Sequence, residues 1–174
     1  MPGIKTQANI KNRVIATIID FVIYLPIWIG YIYLFGEPND DGGYSVSGWT
    51  GLPLLLIWAI YFPGMERYRG QTIGHIFVGL KVVDVSGQSL GTMQAFKRRI
   101  LDFIDLFGTF GLIAYITVKN SDKHQRVGDI FAHTIVIGGE TVKCRHCAEI
   151  LKLTPDDTLN GFYDCPNCEK KNQN

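Results

Sequence analysis

The sequence predicts an α-helical integral membrane protein that carries a small polar C-terminal domain. An apolar run of 22 residues, from Val14 to Phe35, contains a single formal charge, Asp20. As a helix this run reaches about 33 Å, which is enough to cross a hydrocarbon core of about 30 Å. A second uncharged run of 17 residues extends from Trp49 to Met65, at the short end for a spanning helix. The last 31 residues differ, because they are polar and hold all four cysteines.

Composition limits both the size and the function class. A chain of 174 residues forms about one domain with a small appendage. Its formal net charge of +1 provides no basic footprint, so no nucleic-acid partner is expected. No Ser/His/Asp or Cys/His order indicates a nucleophile, and Gly70–Gly74 lacks the Lys-Ser/Thr ending of a phosphate loop. We therefore expect no enzyme activity.

The polar residues of the first apolar run share one helical face. Arg13, Thr17, Asp20 and Tyr24 fall at i, i+4, i+7 and i+11. A lone carboxylate at this depth costs about 2.5 kcal/mol or more, so the face should look toward protein or water. One interpretation is structural, in which Asp20 ties helices together through an Arg or through backbone groups. The other is functional, because intramembrane acids often mark ion or proton paths.

The charges that flank the two apolar runs predict their orientation. The N-terminal segment 1–13 contains Lys5, Lys11 and Arg13 and no acids, whereas the loop 36–48 contains acids and no Lys or Arg. Basic flanks tend to stay in the cytosol. The two runs therefore predict an in-out-in hairpin, with a cytosolic N-terminus, in the cell (inner or plasma) membrane.

Two short β-branched runs are also present. Leu80–Val85 is followed by a Gly-containing turn, and His133–Ile137 is ended by two glycines. A run of about eight apolar residues is too short to span a bilayer as a helix. We expect the two runs to pair in a small cytosolic β element.

The segment between residues 92 and 118 is compatible with two topologies. Thr92–Asp105 is predicted as a helix, and the apolar run Phe103–Val118 has basic residues on both sides. A third spanning helix would place the C-terminal tail outside. A re-entrant hairpin that breaks near Gly108–Gly111 keeps both ends in the cytosol, which the positive-inside bias favours.

Charged residues of this segment form a second polar face. Arg98, Asp102 and Asp105 fall at i, i+4 and i+7, and Arg98 is predicted to pair directly with Asp102. We expect this face to pair with the polar face of the first helix. The basic set of Lys97, Arg98 and Arg99 is interpreted as a cluster that faces lipid headgroups.

Several short segments form a specific combination: Arg13, Asp20, Gly70–Gly74, Gly79–Asp84, Gly87, Arg98–Arg99, Asp105 and Gln125–Asp129. Together they resemble the RDD family, small membrane proteins named for one arginine and two aspartates. The resemblance covers residues 8–137. It implies that the arginine is Arg13, the first aspartate is Asp20, and the second is Asp105 or Asp129. It also implies a membrane architecture, and transport is a role proposed for some members.

The cysteines form two pairs with the spacing of a zinc site. Cys144 and Cys147 are separated from Cys165 and Cys168 by 17 residues, as in four-cysteine zinc ribbons. Each pair lets one turn present two thiolates to a tetrahedral ion. Because four protein ligands close the coordination shell, a structural Zn²⁺ is predicted, with two disulfides as the alternative.

The domain and function predictions combine these parts. Residues 1–139 are expected to form the membrane domain and residues 140–174 a zinc-ribbon-like domain, in the cytosol because thiolate ligands favour a reducing compartment. The predicted function is a membrane-anchored binding or assembly module whose ribbon recruits a protein partner. The alternative is a subunit of an ion or proton transporter. Two or three spans cannot enclose a conventional pathway, so a homo-oligomer in the lipid bilayer is expected.

Overall fold

The computed structural model describes residue 4 and residues 6–40, 42–102, 105, 108–109 and 111–173. Lys5 and parts of the apolar run 103–118 therefore lie outside the described residues. In chain order the elements are α1 (Ile10–Phe35), β1 (Glu37–Pro38), β2 (Tyr44–Ser45), α2 (Leu52–Ala59), α3 (Met65–Arg69), α4 (Ile73–Val78), β3 (Leu80–Asp84), α5 (Thr92–Ile100), α6 (Leu112–Asn120), α7 (Val127–Phe131), β4 (Thr134–Gly138), β5 (Thr141–Lys143), β6 (Ile150–Lys152), α8 (Pro155–Asn160), β7 (Phe162–Asp164) and β8 (Lys171–Gln173).

Helix α1 is a long apolar helix that begins at Ile10, four residues before its apolar run. Its fully buried residues are Ala16 and Asp20. Large apolar side chains such as Val22 and Leu34 are exposed. An apolar exposed surface of this length is what a helix surrounded by lipid requires.

The second membrane helix is assembled from consecutive pieces. A 3₁₀ turn, α2, a π-helical turn at Ile60–Gly64 and α3 continue from Gly48 to Arg69. Pro63 lies in the π turn, where the altered hydrogen-bond pattern accommodates a residue without an N–H. The resulting 22 residues are long enough to span, whereas the apolar run alone has 17.

The structure contains two helices of membrane-spanning length and apolarity within its described residues: α1 and the helix from Gly48 to Arg69. Helix α6 has nine residues and reaches about 14 Å, which is too short to cross a bilayer alone. The run 103–118 is described only in part, so the choice between a third span and a re-entrant hairpin stays open at the level of the fold.

Strands β3 and β4 form an antiparallel pair at the centre of the fold. Their five-residue register is centred on Val82 and Val136, which face each other. The predicted pairing is therefore confirmed, and the cytosolic position of this element stays a prediction. Because side chains alternate between the two faces of a strand, Val82 and Val136 point to one side, where they pack with Ala16 of α1, Val78 of α4 and Ala95 of α5.

The opposite face of the β3–β4 pair is covered by the C-terminal tail. Val83, Ile135 and Ile137 are buried there, and Leu159 of α8 packs against them together with Ile4. One two-stranded element thus supplies apolar surface to the membrane helices on one side and to the tail on the other.

The tail itself consists of two short hairpins, β5 with β6 and β7 with β8, joined by α8. Polar contacts also attach it to the rest of the chain. Nζ of Lys81 lies 3.1 Å from Oδ1 of Asp156, and Nζ of Lys152 donates to the carbonyl oxygen of Val78 at 2.9 Å. The predicted boundary between residues 139 and 140 stays a prediction, and the tail packs directly on the residues before it.

Gly74 allows α4 to approach α1 closely, so a side chain there is expected to separate the two helices. A Cβ at position 74 would overlap the carbonyl oxygen of Ala16 and lie 2.9 Å from Cγ of Asp20. Gly74→Ala should therefore lower the free energy of unfolding by about 1–3 kcal/mol, the usual range for overpacking. The matched control is Gly30→Ala in α1, where an added Cβ has no atom within 4 Å. Thermal unfolding in detergent measures the difference, and equal melting temperatures for the two variants would contradict the close approach.

Candidate functional site

The buried carboxylate of α1 is held by neutral hydrogen-bond donors. Oδ1 of Asp20 accepts from the Tyr61 hydroxyl at 2.9 Å and from the Gly74 backbone N–H at 2.8 Å. Oδ2 accepts from the Thr72 hydroxyl at 2.6 Å. Within the described part of the chain, no Lys or Arg lies at ion-pair distance from Asp20. The sequence predicts that Asp20 connects helices through an Arg or through backbone groups. The backbone contact is present, at Gly74, and the hydroxyls of Tyr61 and Thr72 take the place of an Arg.

Arg13, the other charged residue of this face, reaches α7 and the loop before it. Its Nη1 lies 3.2 Å from Oδ2 of Asp129, and its Nη2 donates to the carbonyl oxygen of His124 at 2.8 Å. Arg98 also binds Asp129. The predicted pairing between the two charged faces is therefore wrong, because both arginines meet on an acid that belongs to neither face.

The two arginines of α5 are buried in ion pairs. Nε of Arg98 lies 3.3 Å from Glu66, and Arg99 lies 2.6 Å from Glu66 and 2.9 Å from Asp102. The predicted Arg98–Asp102 pair is thus replaced by Arg99–Asp102. The prediction of a headgroup-facing cluster is also wrong for Arg98 and Arg99, which are at least nine-tenths buried; Lys97 alone of that set is exposed.

Arg126 completes the network. Its Nη2 lies 2.6 Å from Oδ1 of Asp102, and its Nε lies 3.5 Å from Oδ1 of Asp129. Burial opposes ionisation of Asp129, but Arg98, Arg126 and Arg13 outweigh it and hold the pKa of this carboxyl at about 2. The charge network consists of Arg13, Arg98, Arg99 and Arg126 with Glu66, Asp102 and Asp129.

Two copies of one sequence motif position these groups. Gln71–Phe77 has the sequence QTIGHIF and Gln125–Phe131 has QRVGDIF. In each copy a short helix begins at the third residue, and a strand of the β3–β4 pair comes next in the chain. Each Gln side chain donates at 2.7 Å to the carbonyl oxygen of the first residue of that strand, Leu80 or Thr134.

The glycine of each copy binds a buried aspartate through its backbone. Gly74 N–H donates to Asp20, and Gly128 N–H donates to Oδ2 of Asp105 at 3.1 Å. Both aspartates are buried, and burial raises the pKa of Asp105 above its ordinary value. Of the three aspartates that the family resemblance named, Asp20 and Asp105 each accept a hydrogen bond from a glycine N–H. Asp129, the alternative for the second family aspartate, is instead the centre of the ion pairs.

The two copies are related by an approximate twofold axis. Val82 and Val136 occupy equivalent positions after the motif and face each other in the strand register, so the axis passes between them. The preceding segments make equivalent contacts, because Asp20 meets Gly74 and Asp105 meets Gly128, and each aspartate follows an arginine by seven residues, Arg13 or Arg98. The sequence signal for this arrangement is the repeated Gln-x-x-Gly-x-Ile-Phe, which neither hydrophobic periodicity nor charge spacing brings out.

Other residues of the site have no sequence signal of their own. Thr72 and Arg126 lie inside the family segments Gly70–Gly74 and Gln125–Asp129, but no pattern in the sequence predicts a role in the site for either. Tyr61 and Glu66 are single polar residues that no site prediction included. Each acquires its role from partners that are distant in the chain, such as the Thr72–Asp20 bond across 52 residues.

His75 extends the contacts of Asp20. Its Nδ1 lies 2.8 Å from the Thr72 hydroxyl. Because the single hydroxyl hydrogen of Thr72 is donated to Asp20, the tautomer that completes the contact carries its hydrogen on Nδ1 and donates it to Thr72. Asp20, Thr72 and His75 thus form a continuous chain of hydrogen bonds.

Two cavities flank the arginines. The first, here called the charged cavity, has a volume of about 560 Å³ and is lined by Asp20, His75 and Trp58 among other residues. The second, here called the α1–α6 groove, has a volume of about 540 Å³ and lies between those two helices. Arg13, Thr17 and Arg126 line both cavities, so the two arginines lie where the cavities adjoin.

The four cysteines of the tail meet at one point. Their sulfur atoms all lie within 4.8 Å of one another. Sγ of Cys144 is 3.7 Å from Sγ of Cys168, and Sγ of Cys147 is 3.5 Å from Sγ of Cys165. All four are free thiols, so the disulfide alternative is not formed. The donor set and its compactness fit a tetrahedral metal ion.

The two cysteine turns have the same backbone geometry. Ala148 N–H donates to the carbonyl oxygen of Cys144 at 3.0 Å, and Glu169 N–H donates to that of Cys165 at 2.7 Å. Ala148 and Glu169 have φ angles of 59° and 54°, which turn the chain back after each pair. Backbone N–H groups in the first turn lower the pKa of the Cys144 thiol to about 6, which favours the thiolate that a metal binds.

His75 should make the stability of the fold depend on pH. Burial, together with Arg98 and Arg99, lowers the pKa of His75 well below 6.5. The His75 side chain then binds a proton more tightly in the unfolded chain than in the folded one. The contribution of neutral His75 to the free energy of unfolding is therefore fully present above about pH 6.5, and it falls by about 1.4 kcal/mol for each pH unit below that. Thermal unfolding in detergent at about pH 7.5 and pH 5.5 should show this loss in the wild type and a smaller one in His75→Gln. Identical pH dependence in the two proteins would contradict a buried neutral His75.

Comparison with known proteins gives the family. The RDD family model matches residues 7–133. Over 102 residues the chain is 31% identical to YteJ of Bacillus subtilis (strain 168), which is described as an uncharacterized membrane protein. That match covers 58% of this chain and 59% of YteJ, so less than two-thirds of the relative is covered. No solved structure matches the chain. Two helices of spanning length and a family match over more than half of the residues lead to one conclusion: this chain belongs to the RDD family of membrane proteins.

Proposed function

We propose that this RDD family member is a membrane-anchored binding or assembly module whose C-terminal tail is built around a structural Zn²⁺. The observation that carries the proposal is the meeting of four thiols within 4.8 Å on a tail that packs against the β3–β4 pair. A tail attached in this way holds a bound partner at a fixed place relative to the bilayer. The proposed role involves no enzymatic reaction.

The sulfur geometry supports zinc as the metal. Thiolates at about 2.3 Å from Zn²⁺ stand about 3.8 Å apart in a regular tetrahedron. The separations of 3.5 Å and 3.7 Å between cysteines of different turns are close to that value. Leu153 and Tyr163 are buried, but the tail buries few other large apolar side chains among its described residues. Metal binding would therefore supply much of the folding energy of the tail.

We place the N-terminus and the tail in the cytosol. The twofold relation supports this topology together with the basic flanks and the thiolates. In the first copy, the stretch between Arg13 and Gln71 holds both helices of spanning length, and in the proposed topology it crosses the membrane twice and returns to the same side. The equivalent excursion of the second copy starts after Arg98 and ends before Gln125, and α6 is too short to span. A re-entrant hairpin that returns to the same side is therefore favoured over a third span.

The exposed side of the tail supports a protein partner there. Ile150 of β6 and Phe162 of β7 are 65% and 46% exposed, although both lie in strands beside the cysteine turns. Exposed apolar side chains on a rigid module are typical of recognition surfaces. We further propose that copies of the chain associate through their membrane helices, because two spans bury little of their own apolar surface.

The purified full-length protein should contain one zinc ion per chain. Removal of zinc by a chelator should expose the tail to limited proteolysis, because the ion supplies its folding energy. Cys144→Ser should lower the zinc content and have the same effect, whereas His146→Ala is a matched control, since His146 is exposed and no ligand is needed from it. Elemental analysis and proteolysis measure both quantities. A metal-free wild type with a protease-resistant tail would overturn the zinc proposal.

A second candidate function, ion or proton transport, is favoured by Asp20. Its carboxylate has three neutral donors, lines the charged cavity and connects through Thr72 to His75. Among the described residues, hydroxyl and backbone groups contact this carboxylate and no Lys or Arg pairs with it, and intramembrane acids of this kind often mark ion or proton paths. Two spans cannot enclose a pathway, so this function would require the oligomer.

Flux and co-purification assays separate the two functions. If the chain transports ions, wild-type proteoliposomes should show flux that Asp20→Asn abolishes and that Asp122→Asn, a change of an exposed acid, leaves intact. If it is a binding module, wild-type proteoliposomes show no flux. A partner should then co-purify with the solubilised wild type and be lost on Cys144→Ser. Flux with the Asp20 dependence would overturn the binding proposal in favour of transport.

A further inference from the structure

We propose that the α1–α6 groove binds one anionic phospholipid, with its phosphate at Arg13 and Arg126 and its acyl chain along the apolar walls. The groove volume of about 540 Å³ is within the range of small-molecule sites, about 300–1,000 Å³. This site is distinct from the tail and from the charged cavity that contains Asp20.

The charge of the groove is one-sided. Its described lining residues include two arginines and no carboxylate. The acids that pair with these arginines, Asp102 and Asp129, are not among the described residues that line the groove. A ligand in the groove therefore meets positive charge, which selects an anion.

The groove also changes from polar to apolar along its length. Arg13 lies at the end where Val118 contacts His124, whose ring Nδ1 is 3.2 Å from the Val118 carbonyl oxygen. Ile18 lies five residues beyond Arg13, about 7.5 Å deeper along the helix axis. Leu112, at the opposite end of α6 from Val118, lines the same deep part. A phospholipid has the matching order, with a charged head followed by an apolar chain.

Arg13, which lines the groove, also has unused hydrogen-bonding capacity. Nε of Arg13 is buried and has no hydrogen-bond partner among the described residues. The network around it contains four guanidiniums and three carboxylates. Phosphate oxygens are strong acceptors for guanidinium N–H groups, so a phosphate would supply both the acceptor and negative charge.

The groove is open to the bilayer. Val14, Ile18 and Leu112 are exposed by 52%, 56% and 60%, and two of them belong to a membrane-spanning helix. Lys119 stands near the groove, with its Nζ 5.9 Å from the ring centre of the lining residue Tyr115. An anionic lipid that enters from the bilayer fits the exposed apolar residues of the groove and the nearby positive charge of Lys119. A soluble anion fits only the charge.

The test compares lipid retention by native mass spectrometry of the full-length protein in detergent. The protein is mixed with equal amounts of phosphatidylglycerol and phosphatidylcholine of the same acyl chains. We expect the wild type to retain one phosphatidylglycerol with a preference of about tenfold or more, from two basic groups near the phosphate. Ala114→Trp, which fills the groove without changing charge, should remove the preference, and Ile29→Trp, a substitution at an exposed site of α1 outside the groove, should leave it unchanged.

A second pair of variants keeps the test decisive if Ala114→Trp does not fold. Lys119→Glu, beside the lining residue Tyr115, should lower the preference several-fold, whereas Lys123→Glu, an equal charge change at an exposed residue further along the chain, should not. Equal effects of the two would indicate diffuse attraction and overturn a defined site. Equal retention of both lipids by the wild type would also overturn it. Displacement of phosphatidylglycerol by excess inorganic phosphate would identify a soluble-anion site and overturn the lipid as its occupant.

Discussion

The need to pair buried charge determines how this membrane domain is assembled. Asp129 forms ion pairs with Arg13 of α1, Arg98 of α5 and Arg126, which directly precedes α7. One carboxylate therefore connects three parts of the chain. Each arginine would be costly to bury alone, by several kcal/mol per ion. The pairs therefore fix which helices can be neighbours. Two arginines of the network, Arg13 and Arg126, line both the charged cavity and the α1–α6 groove.

The repeated motif explains why such a network can be compact. Gly74 and Gly128 have no side chain between their helix and the neighbouring backbone, where a Cβ would meet Ala16 or Arg98 at close range. Their N–H groups then reach Asp20 and Asp105. In both halves of the approximate twofold arrangement, a glycine N–H thus supplies a hydrogen bond to a buried carboxylate. The halves differ in the residue directly after the motif glycine, which is His75 in one and Asp129 in the other. Only the half with Asp129 has a carboxylate at this position, and Arg13, Arg98 and Arg126 pair with it.

The β3–β4 pair joins the membrane domain to the tail. A two-stranded sheet is only marginally stable in water by itself and needs other elements to pack against it. Here α1, α4 and α5 cover one face and α8 covers the other. The tail is therefore part of the fold that supports the membrane domain as well as the carrier of the cysteine cluster. A partner that binds the tail would be mechanically connected to α1 through this shared core.

Features that depend on local pattern could be predicted from the amino-acid order alone. Apolar length predicted the two spans, β-branched runs predicted the β3–β4 pair, and the two Cys-x-x-Cys turns predicted the cysteine cluster, because each signal lies within a few consecutive residues. Which charges meet depends on the tertiary structure. Arg98 and Arg99 are adjacent in the chain, and both turn inward to Glu66, so helix-face spacing did not identify their partners. Asp20 likewise binds Tyr61 and Thr72, 41 and 52 residues away, instead of an arginine. Long-range partner choice is set by packing, which no short pattern in the chain encodes.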